Sequence, residues 1–332
     1  GIDLTIVGPE TPLANGIVDR FQKLGLPIWG PTKNAARIET SKVYAKRLMA
    51  SLGIPTAEFR VFDRYDKGRE FLEDHKGSVV IKADGLAAGK GVVVCHNTEQ
   101  ALAALRDCME HRIFGSAGEL VVVEEYLEGE EVSVFGFVDG EHLSSIIPAC
   151  DYKRLLEHDE GPNTGGMGSY HSPPFWTNQL ADQVRSEIFE PVVQGLAERG
   201  SPYKGILYAG LMITEEGPKV VEFNCRLGDP EAQVILPLLN TDLADICEAS
   251  IGGSHETRSL FMTGQNQLDT RASQGIQQVE IFLSRNSENV FYALFFKALD
   301  EEIRGFHRAI LGMRLQAVSV KLSDRAALQA LA

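Results

Sequence analysis

Between residues 79 and 94 the chain reads Val-Val-Ile-Lys-Ala-Asp-Gly-Leu-Ala-Ala-Gly-Lys-Gly-Val-Val-Val. Two β-branched runs flank a loop of small residues, with Lys82 before the loop and Lys90 near its end. Runs of that composition on either side of a short glycine-rich connector predict a hairpin of apolar strands. The spacing superficially resembles a P-loop, but that motif needs one more residue between its glycines, a Ser or Thr after the lysine and a helix to follow. Here Gly91 and a β run stand in those places. What remains is a flexible loop whose glycine amides can close over a polyphosphate while Lys82 and Lys90 supply charge to its oxygens. Taken alone, it also suits a hairpin turn with solvated lysines.

Three further stretches gain weight from that company. In Val121-Val122-Val123-Glu124-Glu125-Tyr126-Leu127-Glu128-Gly129-Glu130-Glu131 a strand runs into a short acidic connector. Backbone groups there can pair with the edge of a planar base, Tyr126 and Leu127 offer apolar contact, and a carboxylate just beyond can accept from sugar hydroxyls. In Val220-Val221-Glu222-Phe223-Asn224-Cys225-Arg226 residues two apart share one strand face, so Glu222 and Asn224 point together. Hard oxygens so placed suit Mg²⁺, which completes its shell with phosphate and water. Arg226, next on that face if the strand continues, offers a fork for a phosphoryl or carboxylate group. Finally, Asp151-Tyr152-Lys153-Arg154 precedes Gly161-Pro162-Asn163-Thr164-Gly165-Gly166-Met167-Gly168, a glycine density that lets backbone approach a ligand closely beside two cations.

The 332 residues, 44% of them hydrophobic, can bury a large core in two or three domains. A formal charge of −14 removes the basic surface that nucleic-acid binding needs, so any phosphate must meet a local site. Five scattered cysteines without metal-ligand spacing suit buried thiols in a reducing compartment. No leader pattern opens the chain and no apolar run approaches the roughly 18 residues that cross a bilayer, so a cytoplasmic protein without membrane partners is expected. The first residue is Gly1, and the natural start is expected upstream.

Periodicity predicts a buried parallel strand over 2–7, a helix over 12–24 and a strand over 27–29, a piece of a βαβ layer, then a helical pattern over 32–52. A lid-like block follows, with strands at 59–62, 79–82, 91–95 and 120–124 and helices through Phe71 and over 99–110. Beyond it come strands near 132–138 and 145–148, a long amphipathic helix over 178–199 and strands over 205–213 and 218–223. A helix-prone run, 288–311, stands in the tail.

In this order the segments resemble the ATP-grasp superfamily, and within it the phosphoribosylamine–glycine ligase family, over about residues 1–253. Gly30-Pro31-Thr32-Lys33, 81–91, 161–168 and 222–231 carry the family-specific part. The resemblance implies an ATP-grasp fold of mixed α/β and α+β character, two α+β subdomains clamping ATP beside a partial N-terminal βαβ layer. The expected divisions are 1–57 for that layer and its connecting helix, 58–126 for the lid, 127–253 for the core, and 254–332 for an unassigned helix-rich tail. It further implies that Glu124, Glu125, Tyr126 and Leu127 hold adenine and Glu131 the ribose. Lys42, Lys82, Gly89, Lys90, Gly91, Arg154 and Asn163 would hold the nucleotide or its phosphates. Glu222 and Asn224 would ligate Mg²⁺ or Mn²⁺, and Arg226 and Asp229 would face the reacting carboxylate and amine. The substrates implied are glycine, phosphoribosylamine and ATP, and a monomer is expected.

The chain departs from the family pattern where Tyr152 replaces a usual His and Leu227 a usual Phe. The family's N-terminal glycine-rich loop would lie upstream of Gly1, and residues 254–332 do not match its C-terminal domain. Another ATP-grasp ligase with a different acid and amine, a nucleotide-binding remnant, and a purely structural interaction protein are the competing readings.

Overall fold

The computed structural model describes residues 2–87, 91–156, 160–164, 166–253, 276–286 and 289–298. The N-terminal layer runs β1 (Thr5–Ile6), α1 (Glu10–Ala14), α2 (Ile17–Lys23) and β2 (Ile28–Trp29). The two strands pair in parallel, Thr5 with Ile28 and Ile6 with Trp29, as the βαβ pattern requires. The single helix expected over 12–24 is two helices, because Gly16 takes a left-handed conformation (φ 78°) open at little cost to glycine. Nor is the first strand buried throughout: Ile2 is 85% and Ile6 41% exposed, since a two-stranded sheet has one face left to solvent here.

The helical pattern over 32–52 also divides, into α3 (Arg37–Thr40) and α4 (Lys42–Leu52). Ser41 turns extended between them, and its hydroxyl accepts the Tyr44 amide as an N-cap of α4.

The lid comprises β3 (Phe59–Phe62), α5 (Tyr65–Asp74), β4 (Val79–Ala83), β5 (Val92–Cys95), α6 (Thr98–Met109) and β6 (Val121–Glu125). Its antiparallel sheet has the order β3-β6-β4-β5. Alternation along the strands sends Val79, Ile81, Ala83, Val121 and Val123 into a core with Leu72, Leu105 and Cys108 from the helices. The opposite face therefore carries Val80, Lys82, Val122 and Glu124.

The second sheet is built from β7 (Glu130–Asp139), β8 (Ile147–Asp151), β11 (Gly168–His171), β12 (Lys204–Thr214) and β13 (Gly217–Asn224), together with two later strands. A short ribbon of β9 (Arg154–Leu156) and β10 (Glu160–Asn163) stands apart from it. The expected helix over 178–199 runs as α7 (Asn178–Val184), one wide π-helical turn at Arg185–Phe189, and α8 (Glu190–Glu198). After β13 come α9 (Ala232–Ile235) and α10 (Leu243–Gly252). Both faces of β7 are covered: Val132, Val134 and Val138 pack with Phe189, Val192 and Met49, whereas Phe135 and Phe137 pack with Trp29, Ile235 and Cys247.

The tail departs from expectation. Residues 289–298 are strand rather than helix: β14 (Ile276–Asn286) adds to β11, and β15 (Asn289–Ala298) pairs back on β14, giving the order β13-β12-β7-β8-β11-β14-β15. Val290, Phe291, Tyr292, Phe295 and Phe296 are types that favour extended backbone, and the free edge of β11 supplies a ladder that outweighs the helical spacing. Residues 299–311 lie outside the described residues. No helix among the described residues is long and apolar enough to cross a membrane.

Candidate active site

The face of the lid sheet opposite its own core meets β13 near its end through Lys82. Lys82 of β4, 3% exposed, places its Nζ 2.9 Å from Glu124 Oε2 and donates to the Val221 carbonyl at 3.0 Å. That carbonyl belongs to the residue immediately before Glu222. Lys46, from α4 and 2% exposed, reaches the same Glu124 oxygen at 3.0 Å and donates to Thr56 Oγ1 at 2.7 Å. Burial pulls Lys46 down to about 8, with the Glu124 carboxylate opposing the shift. Glu124 Oε1 is buried and has no hydrogen-bond partner among the described residues, a costly state for a carboxylate oxygen unless a further group donates to it.

Lys42 opens α4 and donates to the Gly85 carbonyl at 3.0 Å. Burial lowers its pKa, and the next largest influence is the carboxylate of Glu222, opposed by the charge on Lys82. Lys42, Lys82 and Glu222 therefore lie within range of one another's charge. Asp84, between the strand and the loop, accepts the Val43 amide at 3.0 Å and the Ser41 hydroxyl at 3.2 Å, which fastens the start of α4 to the root of the loop. Ala83 N donates to Gly91 O at 2.8 Å, closing the hairpin. Gly89 and Lys90 lie outside the described residues.

At the connector after β6, Glu125 pairs with Lys219 at 3.3 Å and its amide donates to Glu58 O. Tyr126 is exposed and sits edge-on to His96, and Leu127 is half-buried. Glu131 at the start of β7 is held by Lys153, which also lies 3.4 Å from Asp151. Burial alone would lower Lys153, but these two carboxylates outweigh it and hold the ammonium above its usual range. Burial raises Asp151 to about 6, Lys153 pulling down and Glu231 and Glu131 adding to the rise. Arg154 and Asn163 are backbone partners across β9 and β10; their side chains lie outside the described part.

Glu222 is exposed and Asn224 buried; the Asn224 amide nitrogen donates to Glu222 Oε1 at 3.3 Å. This leaves Asn224 Oδ1 and Glu222 Oε2 as hard oxygens on one strand end. No group of three or more His, Cys, Asp or Glu able to hold a metal occurs among the described residues. A pair of hard oxygens beside lysines fits a divalent ion that takes most of its shell from phosphate and water.

Arg226 is not on that face. The strand stops at Asn224, and Arg226 turns its Nε to Glu10 (3.2 Å) and Glu39 (3.4 Å) in the N-terminal segment. Glu39 also accepts the Cys225 amide at 2.8 Å, and burial raises its pKa to about 7 against the pull of Arg226. Asp229 is exposed and accepts from Gln233 at 3.0 Å. Beyond the cis Asp229–Pro230 bond, buried Glu231 accepts the hydroxyls of Ser133 (3.0 Å) and Tyr208 (3.1 Å). Gly228 and Gly166 are required by closeness: a Cβ would come within 2.3 Å of Glu231 Oε2 and 2.5 Å of Pro230 Cδ respectively.

Lys46, Glu39, Asp84, Ser133, Tyr208 and Glu231 are the residues that sequence reasoning did not single out. Lys46 had a signal: it stands on the buried stripe of α4 with Val43 and Met49, where a charge needs a partner.

This pairing of two α+β units, joined by Lys82 between the four-stranded sheet and β13, is the ATP-grasp fold. A solved 2-oxoglutarate carboxylase biotin carboxylase domain from Hydrogenobacter thermophilus, described in complex with MgADP, ADP and bicarbonate, shares it at a TM-score of 0.60 with 16% identity, over 76% of this chain and 54% of its own. Within that class, the family models for phosphoribosylglycinamide synthetase match residues 1–39 (N domain) and 40–232 (ATP-grasp (A) domain), and the chain belongs to this family. It is 53% identical over 259 residues to the phosphoribosylamine–glycine ligase of Caldanaerobacter subterraneus subsp. tengcongensis, covering 78% of this chain and 62% of the relative. The solved phosphoribosylamine–glycine ligase of Thermotoga maritima superposes at a TM-score of 0.66 with 32% identity, over 79% of this chain and 63% of that one. The chain thus spans about three fifths of the length of these relatives. ATP and a divalent metal are what the ATP-grasp family uses.

Proposed function

We propose that the protein joins glycine to 5-phosphoribosylamine at the expense of ATP, giving glycinamide ribonucleotide, ADP and phosphate. One observation supports the site: the ammonium of Lys82, read as a phosphate contact, is anchored at the residue before Glu222, read as a metal ligand, at 3.0 Å from the Val221 carbonyl. Family membership supports the choice of substrates.

A glycine carboxylate oxygen attacks the γ-phosphorus of ATP, and the bond to the β,γ-bridging oxygen breaks, releasing ADP and leaving glycyl phosphate. The amine of phosphoribosylamine then attacks the acyl carbon; phosphate departs and the nitrogen loses a proton. No side-chain nucleophile is needed, because positioning and charge neutralisation lower the barrier. Lys42, Lys82, Gly89, Lys90, Gly91, Arg154 and Asn163 serve the nucleotide and its phosphates. Glu124 to Leu127 take adenine, Glu131 the ribose. Arg226 and Asp229 face the carboxylate and amine, Arg226 through the guanidinium nitrogens not turned to Glu10 and Glu39. Glu222 and Asn224 would hold Mg²⁺ or Mn²⁺, which withdraws charge from the phosphates when bound.

A monomer in a reducing cytoplasm is part of the same reading. Cys95, Cys108, Cys150, Cys225 and Cys247 are all buried and unpaired, and burial pushes Cys95 and Cys108 up to about 11.

The test is ADP release with glycine and phosphoribosylamine beside controls lacking each. Glu222→Ala should lose turnover while its melting temperature stays near the wild type's. Turnover that persists removes the metal assignment, and ATP binding without amide formation favours a nucleotide-binding protein instead.

A further inference from the structure

Lys46 has no place in the roles above, yet a lysine buried to 2% exposure in a helix stripe is expensive to desolvate. Its contacts have a direction. Lys46 Nζ, 3.0 Å from Glu124 Oε2, donates to Thr56 Oγ1 at 2.7 Å, and Thr56 Oγ1 donates onward to the Val220 carbonyl at 2.6 Å. Lys82 Nζ approaches the same carboxylate oxygen at 2.9 Å and donates to the Val221 carbonyl at 3.0 Å. Two routes therefore leave one oxygen on β6 and land on successive carbonyls of β13. A main-chain bond from Val220 N to Pro55 O at 2.8 Å lies beside them. Opposite these residues β13 carries a bulge, between the Gly210–Glu222 and Leu211–Val220 pairs, so its own sheet fixes the register least just here.

The geometry points to Lys46 and Thr56 as positioning residues that hold β13, and with it Glu222 and Asn224, at a set distance from Lys82. A divalent ion and a phosphate engage both ends of that distance at once, so a slack clip weakens the cooperation between them while leaving either end able to bind alone. The inference rests on the nucleotide and metal reading of the site.

The experiment measures the dissociation constant of ATP for the full chain in excess EDTA and in Mg²⁺, and takes the ratio as the metal enhancement. Thr56→Val and Lys46→Met should each lower that ratio about fivefold or more, and Thr56→Ser, which keeps the hydroxyl, should restore it. Should Lys46→Met fail to fold, the two Thr56 variants decide alone. A merely structural role would lower the melting temperature and weaken both constants in proportion; an unchanged ratio in folded Thr56→Val overturns the inference. Absence of ATP binding by the wild type removes the functional reading and this inference together. A wild type that binds with metal enhancement, beside a Thr56→Val protein that matches it, removes this one alone.

Discussion

Glu124 and Glu231 are withdrawn from water to the same degree, 3% exposed each, yet they are held in opposite ways. Glu124 lies between the ammonium groups of Lys46 and Lys82, both on one oxygen. Glu231 accepts from the hydroxyls of Ser133 and Tyr208, which also touch each other at 2.7 Å. The first arrangement binds the lid sheet to α4 by charge, and its other carboxylate oxygen lacks a partner among the described residues. The second fastens the turn after cis Pro230 to β7 and β12 by neutral donors. Equal burial thus serves a charged joint in one place and a shape-holding joint in the other.

Neutralising each carboxylate separates them. Glu124→Gln leaves two buried ammoniums without a counter-charge, and removing one partner of a buried pair costs about 3–5 kcal/mol. Glu231→Gln keeps an acceptor for both hydroxyls and should cost about 1–2 kcal/mol, the difference between charged and neutral hydrogen bonds. Chemical denaturation of both variants at neutral pH gives the comparison. Equal losses would mean that the lysines are satisfied by Thr56 and Val221 rather than by Glu124.

The same contrast appears with pH, with opposite signs. Lys46 falls from 10.5 to about 8 in the folded chain, so between those values the unfolded chain holds more protons and this group makes stability rise with pH. Asp151, beside Glu231 and Glu131, rises from 3.8 to about 6, so between those values the folded chain holds more protons and stability falls as pH rises. Lys46→Met should remove a slope approaching about one proton in the alkaline window, and Asp151→Asn a like slope in the acid window. Unfolding titrations that leave either slope in place contradict the burial argument for that residue.

Much of this was legible in the sequence where local rules govern. Strand alternation put Glu222 with Asn224 on one face, and the glycine-rich loop marked its own hairpin. The partners of Arg226 were not legible: Glu10 and Glu39 stand some two hundred residues away in sequence, and only the folded N-terminal segment brings them near. The strand ends at Asn224, so the condition for placing Arg226 on the face of Glu222 is not met. At 289–298 the helical spacing lost to a pairing partner, β14, that a local window does not contain. Lys46 shows the intermediate case, a charge on an apolar stripe that announces a buried partner without naming it.

The smallest effect concerns Lys153, which holds Glu131 on the more open side of the cleft. Its side chain is 31% exposed and that of Glu131 48%, so solvent screens the pair, and Lys153→Met should cost less than about 1 kcal/mol of stability. Its consequence for the nucleotide is larger than for the fold. With the ammonium gone, Glu131 loses the contact that fixes its orientation, and the acceptor proposed for a ribose hydroxyl becomes free to turn away. A hydrogen bond worth about 1 kcal/mol corresponds to about fivefold in affinity, so the preference for ATP over 2′-deoxy-ATP should shrink by about that factor. Competition binding with the two nucleotides reads it directly. A variant that melts several degrees lower but keeps the wild-type preference would make Lys153 a joint of the Glu124 kind, and the division between the two sides of the cleft would have to be redrawn.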